Sequence, residues 1–348
     1  MNDNVIIYGD PCHVSLVNRT KRQPAFSPTA DYNAQRDAIG AKLRELLGLA
    51  AIEQNAAPAP DLEIEYEERC EGYTKVRFTF QSEVGTRVPC YLLIPDTGKE
   101  KYPVAITLQG HSTGVHNSVG EVKFEGDVEY QATRGKFGIQ AVENGYIALC
   151  IEQRGMGERV PTTPERQAGL CGFTVNRSLM LGRTILGERV FDVKCAIDLL
   201  PRFFPQCDTD KILITGNSGG GTASFYAACY DKRIALSVPS CSFCPYDHSI
   251  FDVQHCTCNY IPSAFRYFDM QDLAILIAPR PLAVVAGVKD PGFLVEGVRL
   301  GFKTISEIYK AAGAPNACRL VETPKGHYWC VDIMWKTINQ EATKLGWK

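Results

Sequence analysis

Residues 211–225, K-I-L-I-T-G-N-S-G-G-G-T-A-S-F, constrain this chain more tightly than any other stretch. Residues 212–215 read as a short buried strand, and 223–229 as an apolar helix opened by small residues. Between them lies a Gly-x-Ser-x-Gly turn, from Gly216 to Gly220. Strand, sharp turn and helix together form the context of a nucleophile elbow. Glycines around Ser218 let the backbone turn where a Cβ would collide with strand or helix. Ser218 Oγ then stands at the carboxyl end of a strand, over a helix N-terminus. Backbone N–H groups pointing inward there suit a developing oxyanion. The competing reading is a glycine-rich turn in which Ser218 only caps the helix.

The remaining pattern supplies the sheet such a turn requires. Residues 62–69, 74–81 and 87–94 alternate, or carry β-branched and aromatic residues, as antiparallel strands do. Residues 103–108 are more uniformly apolar, as a buried parallel strand is. Further strands are expected at 146–151, 234–238, 282–286 and 317–321. Helices are expected over 32–49, 137–143, 190–200, 269–276, 297–313 and 331–345. The first is capped by Asp31 and shows a stripe of Ile39, Leu43, Leu46 and Leu47. This alternation implies an α/β protein: a mostly parallel central sheet, antiparallel N-terminal strands, and helices on both faces. Residues 1–30 read as an extended arm. The expected organisation is an N-terminal arm and helix over 1–60, packed on a main domain over 61–348. Two long segments, 153–189 and 239–269, each follow a strand. Ligands to such sheets bind beyond the carboxyl ends of the strands. These segments are therefore expected to wall and roof a pocket.

A serine nucleophile needs a base, and the chain holds 6 histidines: His13, His111, His116, His248, His255 and His327. The order on such a fold is serine, acid, histidine, with the histidine beyond the last strand. His327, in T-P-K-G-H-Y-W at the head of the last helix, fits. The acid belongs after the preceding strand, where Asp290 lies in V-A-G-V-K-D-P; Glu296 and Glu322 compete with it. Its role would be to hold the histidine tautomer and stabilise the imidazolium. The two oxyanion donors are expected from the N–H groups of Gly219 and His111, the latter in Q-G-H after the first parallel strand.

With these residues in place the chain resembles an α/β-hydrolase, close to bacterial hydrolases related to acetyl xylan esterases and dienelactone hydrolases. The resemblance runs from Tyr32 to Trp329. It is carried by Gln35-Arg36, L-Q-G-H at 108–111, R-G-M-G-E at 154–158 and G-R-T-I-L-G-E-R-V-F-D at 182–192. G-N-S-G-G-G at 216–221, D-K-R-I at 231–234, H-C-T-C-N-Y-I-P at 255–262, A-P-R-P-L at 278–282 and G-H at 326–327 continue it. It implies hydrolysis of a carboxylic ester with Ser218, Asp290 and His327 as triad. Two positions depart from the family pattern. Gln109 stands where a histidine is usual, and P-G-F-L at 291–294 replaces the usual Phe-Pro after the acid.

Gln109, Arg154, His255 and Trp329 are the candidate substrate contacts. For Arg154 the alternative is an ion pair that pins the long loop. Arg177 and Arg183 are the other arginines worth naming. Phe173, Tyr246, Tyr260 and Tyr267 either line an apolar site or belong to the core. Cys241-x-x-Cys244 and Cys256-x-Cys258, with His248 and His255 nearby, could hold a tetrahedral zinc. Buried free thiols are the expectation instead, with no metal and no cofactor.

Composition bounds the partners. A formal net charge of −2 over 348 residues gives no sign of a general nucleic-acid binder. No apolar run approaches the roughly 18 residues that span a membrane. The start, M-N-D-N-V-I-I-Y-G-D, lacks a basic segment followed by an apolar one, so no secretory leader is expected. With 14 cysteines and no repeat, the chain is expected in a reducing compartment, the cytoplasm. The expected partner is a small-molecule ester; the oligomeric state, including a homo-oligomer, stays open. Three functions are compatible: a serine esterase for short-acyl substrates, acetylated carbohydrates included; a peptidase or amidase with the same machinery; and a non-catalytic binding protein.

Overall fold

Side chains of the central strands go alternately to two apolar layers, the period-2 pattern of strands buried on both faces. Val104, Ile106, Leu149, Ile212, Ile214 and Val284 pack into one layer. Ala105, Ala148, Leu213, Leu236, Ala283 and Val285 pack into the other. The computed structural model describes residues 11–59, 61–160 and 170–347. Its strands are β1 (Leu62–Cys70), β2 (Tyr73–Glu83), β3 (Thr86–Pro95), β4 (Tyr102–Leu108), β5 (Ile147–Ile151), β6 (Cys207–Asn217), β7 (Ile234–Ser240), β8 (Leu282–Gly287) and β9 (Cys318–Thr323). They form a single sheet in the order β1-β2-β3-β5-β4-β6-β7-β8-β9. The pairs β1–β2, β2–β3 and β3–β5 are antiparallel. From β5 through β9 every pairing is parallel.

The helices are α1 (Pro11–Arg19), α2 (Tyr32–Leu46), α3 (Leu49–Glu53), α4 (Asp127–Arg134), α5 (Phe137–Glu143), α6 (Leu170–Met180), α7 (Ile185–Phe203), α8 (Gly219–Tyr230), α9 (Val295–Ala311) and α10 (Val331–Lys344). Residues of α2, α3, α7, α8 and α9 share the first apolar layer. Residues of α5 and α10 share the second. Among the described residues no helix is long and apolar enough to cross a membrane.

Several expectations need correction. The arm expected over 1–30 contains α1; residues 1–10 lie outside the described residues. Asp31 does cap α2, accepting from Ala34 N at 2.7 Å. The helix expected over 32–49 stops at Leu46, and a second begins at Leu49. Gly48 stands between them at φ 72°. A Cβ there would sit 2.7 Å from Arg183 Cα, so the break lets α7's entry pack close. The helix expected over 190–200 is longer at both ends. Thr184 caps it, accepting from Gly187 N at 3.0 Å. In place of the helix expected over 269–276 stands a tighter 3₁₀ helix, Met270–Leu276, capped by Asp269 in a capping box with Asp272. The segment 153–189 is not a plain loop, since it carries α6; residues 161–169 lie outside the described residues.

Candidate active site

The Gly-x-Ser-x-Gly turn joins β6 to α8, and Ser218 is the residue at the joint. Its φ is 58° and ψ −129°, a conformation an L-residue adopts only when the surroundings dictate it. They do so here. Ser218 N donates to Ser240 O on β7 at 3.0 Å, tying the turn to the neighbouring strand. A Cβ at Gly220 would overlap Leu108 O, so α8 can start directly over the end of β4 only with glycine there. Ser218 Oγ thereby stands over the first turn of α8, whose early N–H groups have no partner within the helix.

Asp290 and His327 come from the loops after β8 and β9. Asp290 is buried, and its Oδ2 accepts from His327 Nδ1 at 2.8 Å. Its Oδ1 accepts from Gly292 N at 2.9 Å and Phe293 N at 3.2 Å. Burial pushes this carboxyl up, but the hydrogen bond and charge of His327 and the two backbone donors hold it below the usual carboxylate range. Phe293 stacks on the His327 ring, centroids 5.9 Å apart and 11° between planes. The loop after β9 folds back across β8: Lys289 N donates to Lys325 O at 3.1 Å, and Gly287 admits the backbone of Gly326 so closely that no Cβ fits. That contact brings the histidine back toward Ser218.

The unusual segment at 291–294 is braced by a residue of the cover. His255 Nε2 donates to Gly292 O at 2.8 Å, and its ring meets Phe293 edge-on at 4.9 Å. Both expected oxyanion donors border Ser218. A Cβ at Gly110 would meet Ser218 Cβ at 3.1 Å, and one at Gly219 would meet the His111 ring at 3.1 Å. His111 is exposed overall, yet its Nε2 lies 3.4 Å from Cys258 Sγ. Burial of the ring pushes its pKa down, and hydrogen bonds with Cys256 and Cys258 raise it to about 9.

A cavity of ≈ 340 Å³ is lined by Ser218, His327, Asp290, His111, His255 and Phe293, among others. A second of ≈ 560 Å³ shares His327 and Pro291 with it and runs along α4, past Glu129, Tyr130, Arg134, Lys289 and Tyr328. The segment 239–269 walls the first cavity through Val253, Gln254, Cys256 and Asn259.

Three expected substrate contacts lie elsewhere. Gln109 is fully buried and donates to Glu152 Oε1 at 2.7 Å. Trp329 is buried in the second layer, edge-on to Phe137, with Nε1 donating to Gln140 Oε1 at 2.8 Å. Arg154 is buried between Glu83 (2.6 Å), Asp192 (2.8 Å) and Glu188 (3.3 Å). Arg183 joins the same network through Glu83 and Glu188. These two arginines pin the cover rather than meet a ligand. Arg177 lies on the surface against Phe173. Tyr246 is core, its hydroxyl 2.8 Å from that of Tyr226. The proposed cysteine quartet is dispersed. Cys241 Sγ points at Gly326 O and Tyr328 O, and Cys244 Sγ at His248 O. Cys256 and Cys258 group instead with Cys171 and His111. Cys171 comes from a distant part of the cover, and no motif around it marks it as their neighbour.

Glu152 was also invisible as a site-supporting residue. It directly follows β5 as a fully buried carboxyl group, accepting from Gln109 Nε2 and from Val115 N at 2.9 Å. It thus braces both sides of the 109–115 loop. Burial raises its pKa to about 7, against backbone hydrogen bonds that lower it.

A strained serine at a strand–helix joint and a histidine–carboxylate pair after later strands define an α/β-hydrolase. The chain belongs to the Abhydrolase family, whose model matches residues 12–328. It is 27% identical over 247 residues to YtaP of Bacillus subtilis (strain 168), a provisionally named hydrolase, covering 70% of this chain and 78% of that one. A provisionally named acetyl xylan esterase of Bacteroides fragilis NCTC 9343 superposes with TM-score 0.74 at 17% identity, over 93% of this chain and 84% of that one. A glucuronoyl esterase from Solibacter usitatus gives TM-score 0.67 at 16% identity, over 94% and 98%.

Proposed function

We propose that this protein is a serine esterase that removes short acyl groups from small, carbohydrate-like alcohols through an acyl-enzyme. The observation that carries the reading is the 2.8 Å His327–Asp290 hydrogen bond at a cavity lined by Ser218. In this reading His327 takes the Ser218 proton as Oγ attacks the ester carbonyl. Asp290 holds the tautomer and stabilises the imidazolium. The N–H groups of Gly219 and His111 receive the oxyanion. His327 then protonates the leaving alcohol, and water repeats the sequence on the acyl-enzyme. The ≈ 340 Å³ cavity suits the acyl group. The neighbouring ≈ 560 Å³ cavity, with Glu129, Tyr130, Arg134 and Lys289 on its walls, offers the polar partners a hydroxyl-rich alcohol needs. A relative in fold named for acetyl xylan esters agrees with such a substrate.

The test is kcat/KM for a series of esters of one leaving group, from acetyl to dodecanoyl, run beside Ser218→Ala and an amide of the same acyl group. A steep fall with chain length and loss of turnover in Ser218→Ala are expected. A flat or rising profile would reject the small acyl site. Undiminished turnover by Ser218→Ala would reject the nucleophile.

A further inference from the structure

Behind His111 the cover brings together four potential ligands from three separate segments. His111 comes from the loop after β4 and Cys171 from the start of α6. Cys256 immediately precedes one 3₁₀ turn, Thr257–Asn259, and Cys258 lies within it. One atom from each, an imidazole nitrogen and three sulfurs, lies within 4.8 Å of every other. A tetrahedral zinc bound at about 2.3 Å to sulfur and 2.0–2.1 Å to nitrogen holds its ligand atoms about 3.5–3.8 Å apart. The pair His111 Nε2 and Cys258 Sγ, at 3.4 Å, is already at that spacing. The remaining pairs lie within 4.8 Å and need at most about 1.3 Å of closure, which rotation about χ1 of a cysteine supplies.

The charges point the same way. Arg189 is buried, and its guanidinium donates to Arg154 O at 2.8 Å and to Cys171 Sγ at 3.3 Å. Among the described residues no carboxylate pairs with it. A buried cation requires a compensating negative charge. Three thiolates and one Zn²⁺ carry a net charge of −1, which Arg189 neutralises.

We propose that His111, Cys171, Cys256 and Cys258 form a structural zinc site, with His111 bound through Nε2 and Arg189 as its neutralising neighbour. Four protein ligands close the site, leaving no open position for a substrate or water. It staples α6 to the 256–258 turn and both to the loop after β4. A consequence that rests on the esterase reading is that the metal also fixes the His111 backbone N–H beside Ser218. Metal binding itself does not depend on that reading.

The test uses full-length protein purified under reducing conditions without added metal. Elemental analysis is expected to find about one zinc per chain. After chelation, titration with Co²⁺ alone is expected to give thiolate-to-cobalt charge-transfer absorption and tetrahedral d–d bands at one equivalent. Uptake should weaken as pH falls, since the ligands must lose protons. Cys171→Ser and Cys256→Ser are expected to diminish or shift that absorption, and Cys244→Ser to leave it unchanged. Reduced wild-type protein that takes up neither metal at one equivalent overturns the site. So does an unchanged cobalt spectrum in a Cys171→Ser, Cys258→Ser double variant. The wild-type titration decides the matter even where a variant fails to fold. Labelling of Ser218 by a fluorophosphonate is read separately: its failure in zinc-loaded protein would reject the esterase reading and leave the metal site standing.

Discussion

Ser218, Asp290 and His327 sit where strands end, whereas Arg154, Cys171 and Cys256 sit on the cover, and the two regions are held by different forces. At the strand ends the backbone is fixed by the parallel ladder and by loop-to-loop hydrogen bonds such as Lys289 N to Lys325 O. That framework is rigid enough to hold Ser218 at φ 58°. Residues 153–160 and α6 contribute no strand to the sheet. They are tied down by charges and polar side chains: Arg154 and Arg159 on Asp192, Arg183 on Glu83, and Arg189 on Arg154 O. The strand ends therefore carry the strain of reactivity, and the cover carries the cost of burying charge.

The largest test of this contrast is Asp290→Asn. The side chain keeps its shape but cannot hold the productive His327 tautomer. A fall in kcat on the order of 10⁴-fold is expected, with little change in melting temperature. Loss of folding rather than of turnover would break the contrast. Arg154→Ala should do the opposite. It leaves the buried carboxylates of Glu83, Asp192 and Glu188 without their shared cation. A stability loss of about 3–5 kcal/mol is expected in urea unfolding, with kcat of the folded protein within about tenfold of wild type.

The smallest expected effect concerns Glu152, which touches both regions. Its folded pKa of about 7 lies above the ordinary glutamate value, so the native state binds a proton that the unfolded chain releases earlier. Its contribution to stability is full below the unfolded pKa and declines as pH rises through about 7. Over that window the loss is on the order of 3 kcal/mol at most. Glu152→Gln should flatten this part of the pH–stability curve, and an unchanged slope in urea titrations from pH 5 to 8 would reject the assignment.

The strand ends were readable in the sequence because their signals are local. Gly-x-Ser-x-Gly follows a strand and precedes a helix. Asp290 and His327 each follow the strand that the order of elements requires. The cover was not readable, because its contacts join residues far apart in the chain whose identities admit two uses. Arg154 looks the same beside a substrate carboxylate as beside Asp192. Cys256-x-Cys258 suggested a partner pair at Cys241 and Cys244, yet Cys171 lies beside it. Trp329 follows His327 by two residues, but its ring turns into the layer beneath Phe137. Leu47 and Gly48 alone separate one helix from the next, a break that apolar periodicity does not register.

The fold-back of the β9 loop over β8 has a consequence for how such a protein can be altered. Gly287 and Gly326 are in backbone contact, so each loop helps to set the other's path. An insertion in either would carry the histidine away from the serine without touching any reacting atom. The 291–293 stretch is held in turn by His255, which belongs to the cover. Retailoring selectivity therefore has to proceed through the walls formed by α4 and residues 253–259, where side chains can be exchanged while the path of the main chain is kept.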